Sequence, residues 1–289
     1  MTKVATVGRL FVVATPIGNL GDFSARAQET LRACQWIAAE DTRHTGLLLK
    51  HFSIQTPQLS LHDHNEAARS IEIIARLQKG ESVALVSDAG TPAISDPGFE
   101  LVRKAAAAGI EIVTIPGPCA AIAALSIAGL PTDRFCFEGF LPARGAARRQ
   151  TLAALVDEPR TLVFYESPHR IVEAIEDCAA AFGDARTAVV VREATKLHET
   201  TYRGALHELL VIARGDADFA RGEIVLLIAG VPPTHASEGR DESLDKTLAV
   251  LLKELPLKQA AALAAQLTGA RDNEAYKRAL ELKQQSASQ

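Results

Sequence analysis

Val83-Ala84-Leu85-Val86-Ser87-Asp88-Ala89-Gly90-Thr91-Pro92, followed shortly by Asp96-Pro97-Gly98, is the stretch whose reading decides the fold. A short apolar run of this length, bounded by turn residues, reads as a strand buried on both faces, as parallel sheets require. Aspartate, glycine and proline then break the strand and lead toward a helix. The same construction recurs downstream. Ile112–Ile115 leads into Pro116-Gly117-Pro118, and Thr161–Tyr165 leads into Glu166-Ser167-Pro168. In each case the proline is expected to open the next helix, with Asp or Ser before it capping the free amides. Loops of this kind belong at the carboxyl ends of their strands, the edge where open α/β sheets bind ligands. Helix N-termini exposed there suit a carboxylate or a phosphate.

Outward from that stretch, further strand-like runs are Leu10–Ala14, Trp36–Ala39, Phe135–Phe140, Thr187–Val191 and Ile224–Ala229. Between the runs, Ala67, Ile71, Ile74 and Leu77 recur at helical spacing, as do Ile171, Ile175, Ala179 and Phe182. Strands alternating with helices predict α/β domains with parallel or mostly parallel sheets. The polar Glu199–Arg203 run before Gly204 reads as an antiparallel addition. A hinge is expected near Gly129–Asp133, which divides an N-terminal α/β domain (1–130) from a second (131–231). The polar stretch 232–242 reads as a linker. Beyond it, 243–289 is helical throughout. Leu244, Leu248, Leu251 and Leu255 form one stripe, Pro256 starts a second helix, Thr268-Gly269 ends it and Asp272 opens a third. This extension reads equally as a helix-turn-helix arrangement, whose Arg271, Lys277 and Arg278 would meet phosphates, and as a plain helical packing module.

The 289 residues are 47% hydrophobic and 23% charged, which excludes disordered, collagen-like and coiled-coil chains. A net charge of −4 excludes coating of nucleic acid by bulk charge but permits a local basic patch. Cys34, Cys119, Cys136 and Cys178 stand far apart in apolar surroundings, so reduced thiols in a cytoplasmic protein are expected. The N-terminus lacks the pattern of a signal peptide. No apolar stretch approaches the ~20 residues that a membrane helix needs.

No two glycines are separated by a single residue, so the dinucleotide fingerprint is absent, as is the P-loop. Several polar clusters remain. Glu40-Asp41-Thr42-Arg43-His44 follows a strand and reads equally as a capped turn or as a substrate-facing edge. His62-Asp63-His64 reads as a loop histidine pair, since no third ligand lies nearby, and no metal site is expected. Arg144, Arg148 and Arg149, with Arg160, His169 and Arg170 downstream, concentrate positive charge at the start of the second domain. A solvated helix face is the plain reading of that stripe, although an acidic overall balance makes a local basic stripe more informative. Arg192-Glu193-Ala194-Thr195-Lys196 closes another strand.

Five segments, taken in order, are specific: Val13–Asp22 (VATPIGNLGD), Ala39–Arg43, Ser87–Gly98 (SDAGTPAISDPG), Pro116–Ala120 and Phe164–Arg170 (FYESPHR). Together they resemble the signature series of the ribosomal small subunit methyltransferase I family, a branch of the tetrapyrrole-methylase superfamily. The resemblance covers nearly the whole chain, including the helical extension. It implies two α/β domains with S-adenosylmethionine in the cleft between them, and S-adenosylhomocysteine as product. The implied reaction is methylation of the ribose 2′-hydroxyl of a cytidine in the decoding region of 16S rRNA, within the small ribosomal subunit, by a homodimer.

Carried over by position, the cofactor would meet Pro16, Gly18, Asp88, Ala89, Gly90 and Ile94. Pro116, Gly117, Cys119 and Ala120 would complete that wall, and Glu166 and Ala194 would face it. Asp41, Glu166 and Glu193, backed by His169 and Lys196, are the candidates for taking the hydroxyl proton, and the sequence does not choose among them. Asn19, Arg43, His44 and Arg170, with the stripe Arg144, Arg148 and Arg149, are the candidates for holding RNA. Two other readings stay open: C-methylation of a tetrapyrrole on the same fold, and a non-catalytic nucleic-acid-binding metabolite sensor.

Overall fold

Strand β4 (Val83–Val86) sits at the centre of a five-stranded sheet, and its side chains show why. Val83 and Leu85 pack with Leu10, Ile73, Leu77 and Leu101, whereas Ala84 and Val86 pack with Ala27, Leu31 and Leu49. Alternate residues thus feed two separate cores, one on each face of the sheet. The computed structural model that gives this view describes residues 7–231 and 244–287. The expected linker, 232–242, lies outside the described residues.

The first sheet comprises β1 (Leu10–Val13), β2 (Trp36–Ala39), β3 (Gln58–Ser60), β4 and β5 (Ile112–Ile115), in the order β3-β2-β4-β1-β5. Every pairing is parallel. Helices α1 (Ala25–Ala33), α2 (Thr42–His51), α3 (Glu66–Gln78) and α4 (Phe99–Ala107) connect the strands. The bond pairs Thr15 N–Gly90 O (2.9 Å) and Gly90 N–Thr15 O (3.1 Å) tie the loop after β1 to the loop after β4. Thr91 Oγ1 donates to Pro118 O at 3.0 Å, which ties the β4 loop to the loop after β5.

Helix α5 (Ala120–Ala128) follows β5 and packs Ala121, Ala124, Leu125 and Ala128 against Val163, Val189, Val225 and Leu227 of a second sheet. Its last carbonyls, of Ile127 and Ala128, accept from the Arg203 guanidinium. The second sheet contains β6 (Phe135–Phe140), β7 (Thr161–Glu166), β8 (Thr187–Arg192), β9 (Thr200–Ala205) and β10 (Ile224–Ile228), in the order β6-β7-β10-β8-β9. Here α6 (Gly145–Ala154), α7 (Ile171–Phe182) and α8 (Leu206–Gly215) make the connections. Only β6 and β7 are parallel; β10 runs antiparallel to both neighbours, and β9 antiparallel to β8. The expectation of mostly parallel sheets is therefore corrected for this half. Its central strands are buried on both faces, so they read as continuous apolar runs whatever their direction.

The three loop prolines do not open their helices. Helices α4, α5 and α7 begin at Phe99, Ala120 and Ile171, two or three residues beyond Pro97, Pro118 and Pro168. The amides at the start of α4 are taken by Glu66 of α3, whose Oε1 accepts from Gly98 N and Glu100 N at 2.9 Å each. At α5 the Ala121 amide donates to Tyr165 Oη at 3.2 Å. These helix ends are partly satisfied from within, which weakens the expectation of open anion sites.

Contacts divide the chain into two compact units, Met1–Ala153 with Thr161–Ala229, and Ala154–Arg160 with Gly230–Gln289. The second unit holds α9 (244–251), α10 (Leu257–Thr268) and α11 (Asp272–Ala287). Leu244 and Leu248 pack on Ala261, Ala264, Ala265, Ala275 and Ala279, small residues that let the helix backbones approach closely. Gly269, at φ +70°, ends α10. Arg278 grips both oxygens of Asp245, so it is a brace between helices rather than a free phosphate contact. Lys258, Arg271 and Lys277 stay exposed. Among the described residues no helix is long and apolar enough to cross a membrane.

Candidate functional site

Within the first unit, loops at the carboxyl ends of β1, β4 and β5 meet the second sheet around a cavity of about 350 Å³, in the usual range for small-molecule sites. Ile17, Gly90, Ile94 and Cys119 line it from the first sheet's loops. Phe140, Tyr165, Ala194 and Val225 supply an apolar wall from the second. Three carboxylates reach the same cavity: Asp96, Glu166 and Glu223. An apolar body with an acidic rim fits a small ligand that carries positive charge.

Backbone conformation aims several of these residues. Ala93 and Ser95 have φ of +67° and +62° and flank Ile94, while Glu193 and Thr195, at +52° and +68°, flank Ala194. Left-handed geometry at a non-glycine residue costs about 1–2 kcal/mol and is typical of ligand clamps. Each pair turns the residue between it into the cavity, one from either sheet. Gly18 allows a close approach, since a Cβ there would lie 2.3 Å from Cγ of Lys196. The Lys196 stem thus crosses the β1 loop, and its Nζ is held by Glu193 (2.8 Å) and Glu223 (3.3 Å).

Glu166 ends β7 and its side chain is fully buried. Its Oε1 accepts from Ser167 N and Arg170 Nη2, both at 2.7 Å, whereas Oε2 is buried without a partner. A buried carboxylate oxygen left open costs about 1–3 kcal/mol unless a ligand donates to it. Asp96 stands at the cavity from the loop after β4. Burial, then the nearby carboxylates of Glu40, Asp88 and Asp63, push its carboxyl up to about 6, with the Ser87 hydroxyl opposing. Burial and Asp88 likewise raise Glu40.

The Asp96 shift sets a pH prediction. The folded chain holds this proton more tightly than the unfolded chain, so the group adds stability below its ordinary value of 3.8 and loses that contribution as pH rises through about 6. Solvent screens most of the effect at a half-buried site, which leaves about 1 kcal/mol. Asp96→Asn should therefore raise the thermal midpoint by roughly 2–4 °C at pH 8 and leave it unchanged at pH 4, as read by scanning calorimetry.

The other expected site residues separate clearly. Ala89, Gly90, Ile94, Cys119, Ala120, Glu166 and Ala194 line the cavity. Pro16 and Gly18 do not; Ile17 between them does. Asp88 sits beside the cavity, and its Oδ1 accepts from Asp41 N at 3.0 Å. Pro116 and Gly117 shape the turn after β5, where a Cβ on Gly117 would lie 2.9 Å from that of Ala14. Asp41 caps α2 and chelates Arg43 through both oxygens, at 3.1 and 2.7 Å, and those bonds hold its carboxyl well below the usual range. Burial pushes Glu193 up, but bonds from Lys196 and the Glu223 amide outweigh it and hold the group low.

His169 is exposed and away from the cavity wall, as are Asn19 and His44. Asn19 caps the turn Leu20–Asp22. Arg170 is committed to Glu166. The basic stripe needs correction at its centre. Arg144 and Arg149 are exposed, but Arg148 is only 3% exposed and pairs with Asp177 at 2.7 Å, so it presents no charge to solvent. The expected loop histidine pair, His62 and His64, lies just after β3 with ring centroids 6.0 Å apart. Asp96, Tyr165 and Phe140 were missed. Their signal was positional: each follows or ends a strand at the same sheet edge as the motifs already identified.

Residues 9–210 match the sequence model of the Tetrapyrrole (Corrin/Porphyrin) Methylases, and residues 238–283 that of the RsmI C-terminal HTH domain. The chain is 53% identical over 276 residues to Ribosomal RNA small subunit methyltransferase I of Escherichia coli O157:H7, with 95% of each chain covered. It is 54% identical over 276 residues to the Pseudomonas aeruginosa protein of the same name, with 96% of this chain and 98% of that one covered. Among solved structures, the methyltransferase CobJ superposes with a TM-score of 0.57 at 19% identity, over 78% of this chain and 95% of that one. The uroporphyrin-III-C-methyltransferase of Thermus thermophilus gives 0.53 at 20%, over 77% and 94%. At such identities the structural likeness speaks for the fold alone.

Proposed function

Because the chain belongs to the tetrapyrrole (corrin/porphyrin) methylase family, and within it to the ribosomal RNA small subunit methyltransferase I group, we propose that it methylates the ribose 2′-hydroxyl of a cytidine in the decoding region of 16S rRNA. S-adenosylmethionine is the proposed donor and S-adenosylhomocysteine the product. The observation that carries the reading is the cavity itself, with its apolar walls, its carboxylates and the unpartnered Glu166 Oε2.

The residues present fit that cofactor. When bound, it supplies an electrophilic methyl group on a positively charged sulfur. Glu166 Oε2 offers an acceptor for a hydrogen bond from it, and the rim carboxylates complement its charge. Ile94 and Val225 exclude water, while the paired Thr15–Gly90 backbone fixes the wall on which it rests. Such positioning supplies roughly 7–11 kcal/mol, more than the 3–5 kcal/mol equivalent of a general base at ~10²–10⁴-fold.

For RNA, exposed Arg144 and Arg149 and the extension's Lys258, Arg271 and Lys277 are the phosphate contacts of this reading. Arg43 contributes despite its pairing with Asp41, because its side chain is largely exposed. The net charge of −4 favours a structured particle over naked RNA, so the proposed target is the assembled small subunit, met in the cytoplasm by a homodimer. Mass-spectrometric mapping of ribose methylation in 16S rRNA, from cells with and without the protein, tests the reading. One 2′-O-methylcytidine should disappear with the protein; an unchanged map overturns it.

A further inference from the structure

Strand β6 departs from regular pairing near the cavity. Phe137 pairs with Val163 and Gly139 with Phe164, so Glu138 between them has no partner on β7. One extra residue of this kind is a β-bulge, which shifts the alternation of side chains by one position. In an unbroken strand Phe137 and Phe140 would point to opposite faces. The bulge brings both rings to Tyr165, at centroid distances of 4.9 and 5.5 Å. Gly139 permits the bend: its φ is +66°, and a Cβ there would lie 3.3 Å from Ser95 Oγ in the loop after β4. The two rings end differently. Phe137 packs into the core that α5 shares with the second sheet. Phe140 lines the cavity yet stays 55% exposed. Just beyond it, Leu141 is buried and its carbonyl accepts from Arg170 Nη1 at 3.5 Å, which anchors the strand end. Arg144 follows, exposed, and among the described ion pairs none includes it. An open aromatic ring with a guanidinium close by in the chain is the pairing by which proteins hold unpaired nucleotides.

We propose that Phe140 is the stacking platform for the base of the acceptor nucleotide, a role that rests on the methyl transfer proposed above. In a nucleotide, the carbon that bears the 2′-hydroxyl is bonded to the carbon that bears the base. A hydroxyl brought to the donor's methyl group therefore carries its base to the mouth of the cavity. There the base has lost the neighbours it stacked on within the RNA. The exposed ring of Phe140 replaces one of them, on a strand end already fixed by Leu141 and Arg170. Every base has a π-face, so the ring supplies affinity and alignment and leaves base identity to other contacts. Arg144, four residues on, meets a phosphate of the same RNA.

The test uses the full chain with small ribosomal subunits lacking the modification, at saturating S-adenosylmethionine. Phe140→Leu keeps an apolar side chain at the cavity and removes the aromatic face. It should lower kcat/KM for the subunit roughly 10- to 100-fold, the loss expected for one stacked base. Its affinity for S-adenosylhomocysteine, measured by calorimetry, should stay within about threefold of the parent's, as expected for a group that holds the acceptor and not the cofactor. Phe140→Tyr restores a π-face and should bring kcat/KM back to within about threefold of the parent's. A kcat/KM within about threefold of the parent's in Phe140→Leu overturns the assignment. So does a loss of cofactor affinity that matches the loss of kcat/KM, which would make the ring part of the cofactor's wall. A loss in Phe140→Tyr as large as in Phe140→Leu overturns it too, because the ring would then act by packing alone. A parent protein that binds S-adenosylhomocysteine yet transfers no methyl to 16S rRNA overturns the underlying function, and this role with it.

Discussion

Gly90→Val should weaken binding of S-adenosylhomocysteine at least 100-fold in a calorimetric titration, while Gly90→Ala should lose less. Gly90 has φ +82°, where any side chain adds about 1–2 kcal/mol of backbone strain. A Cβ there would sit 3.3 Å from Ile17 Cγ2 and 3.7 Å from the Pro118 carbonyl, so alanine is tight and a branched side chain must displace one of them. Ile17 lines the cavity, and Gly90 exchanges both backbone hydrogen bonds with Thr15, so any shift propagates into the β1 loop. A 100-fold loss corresponds to about 2.7 kcal/mol, within what strain and a displaced wall supply together. An affinity for the valine variant within threefold of the parent's would remove the strand-tip loops from the binding account.

The largest loss of stability is expected at Arg148. Its Nε donates to Asp177 Oδ2 at 2.7 Å and its Nη2 to Glu173 Oε2 at 3.3 Å, with the arginine 3% and Asp177 14% exposed. Removing one partner of a buried ion pair strands the other, which typically costs 3–5 kcal/mol. Arg149 reaches Asp177 only at 3.4 Å from a side chain 60% exposed, so it compensates poorly. Arg148→Ala should therefore lower the unfolding free energy by about 3 kcal/mol in urea titrations. Arg149→Ala should change it by less than about 0.5 kcal/mol, as surface ion pairs do. If Arg148 were an RNA contact, the outcome would invert: stability would hold, and the salt dependence of RNA binding would weaken.

The contrast between these sites shows which features were legible. The first sheet could be read because β1, β2 and β4 are short apolar runs closed by turn residues, and the parallel arrangement follows from helices between them. Strand β3 could not, since Gln58–Ser60 is three half-buried residues with no apolar run. The direction of β10 was hidden because burial on both faces erases the alternation that would mark an antiparallel strand. Arg148 looked like a surface charge because its partner Asp177 lies 29 positions away, on another helix. The cavity-lining glycine and small residues carried a recognisable pattern, whereas Asp96 did not. Asp-Pro reads as a helix cap, but Glu66 already caps α4, and the turn that carries Asp96 into the cavity depends on left-handed Ala93 and Ser95, which no residue type announces.

A crystal structure of the protein grown with S-adenosylhomocysteine tests the central claim most directly. The account predicts the ligand in the cavity between the two sheets, a donor on it within hydrogen-bond distance of Glu166 Oε2, and its body against Ile17 and Gly90. Ligand density anywhere else, or a filled cavity in which Glu166 Oε2 still has no partner, would contradict it.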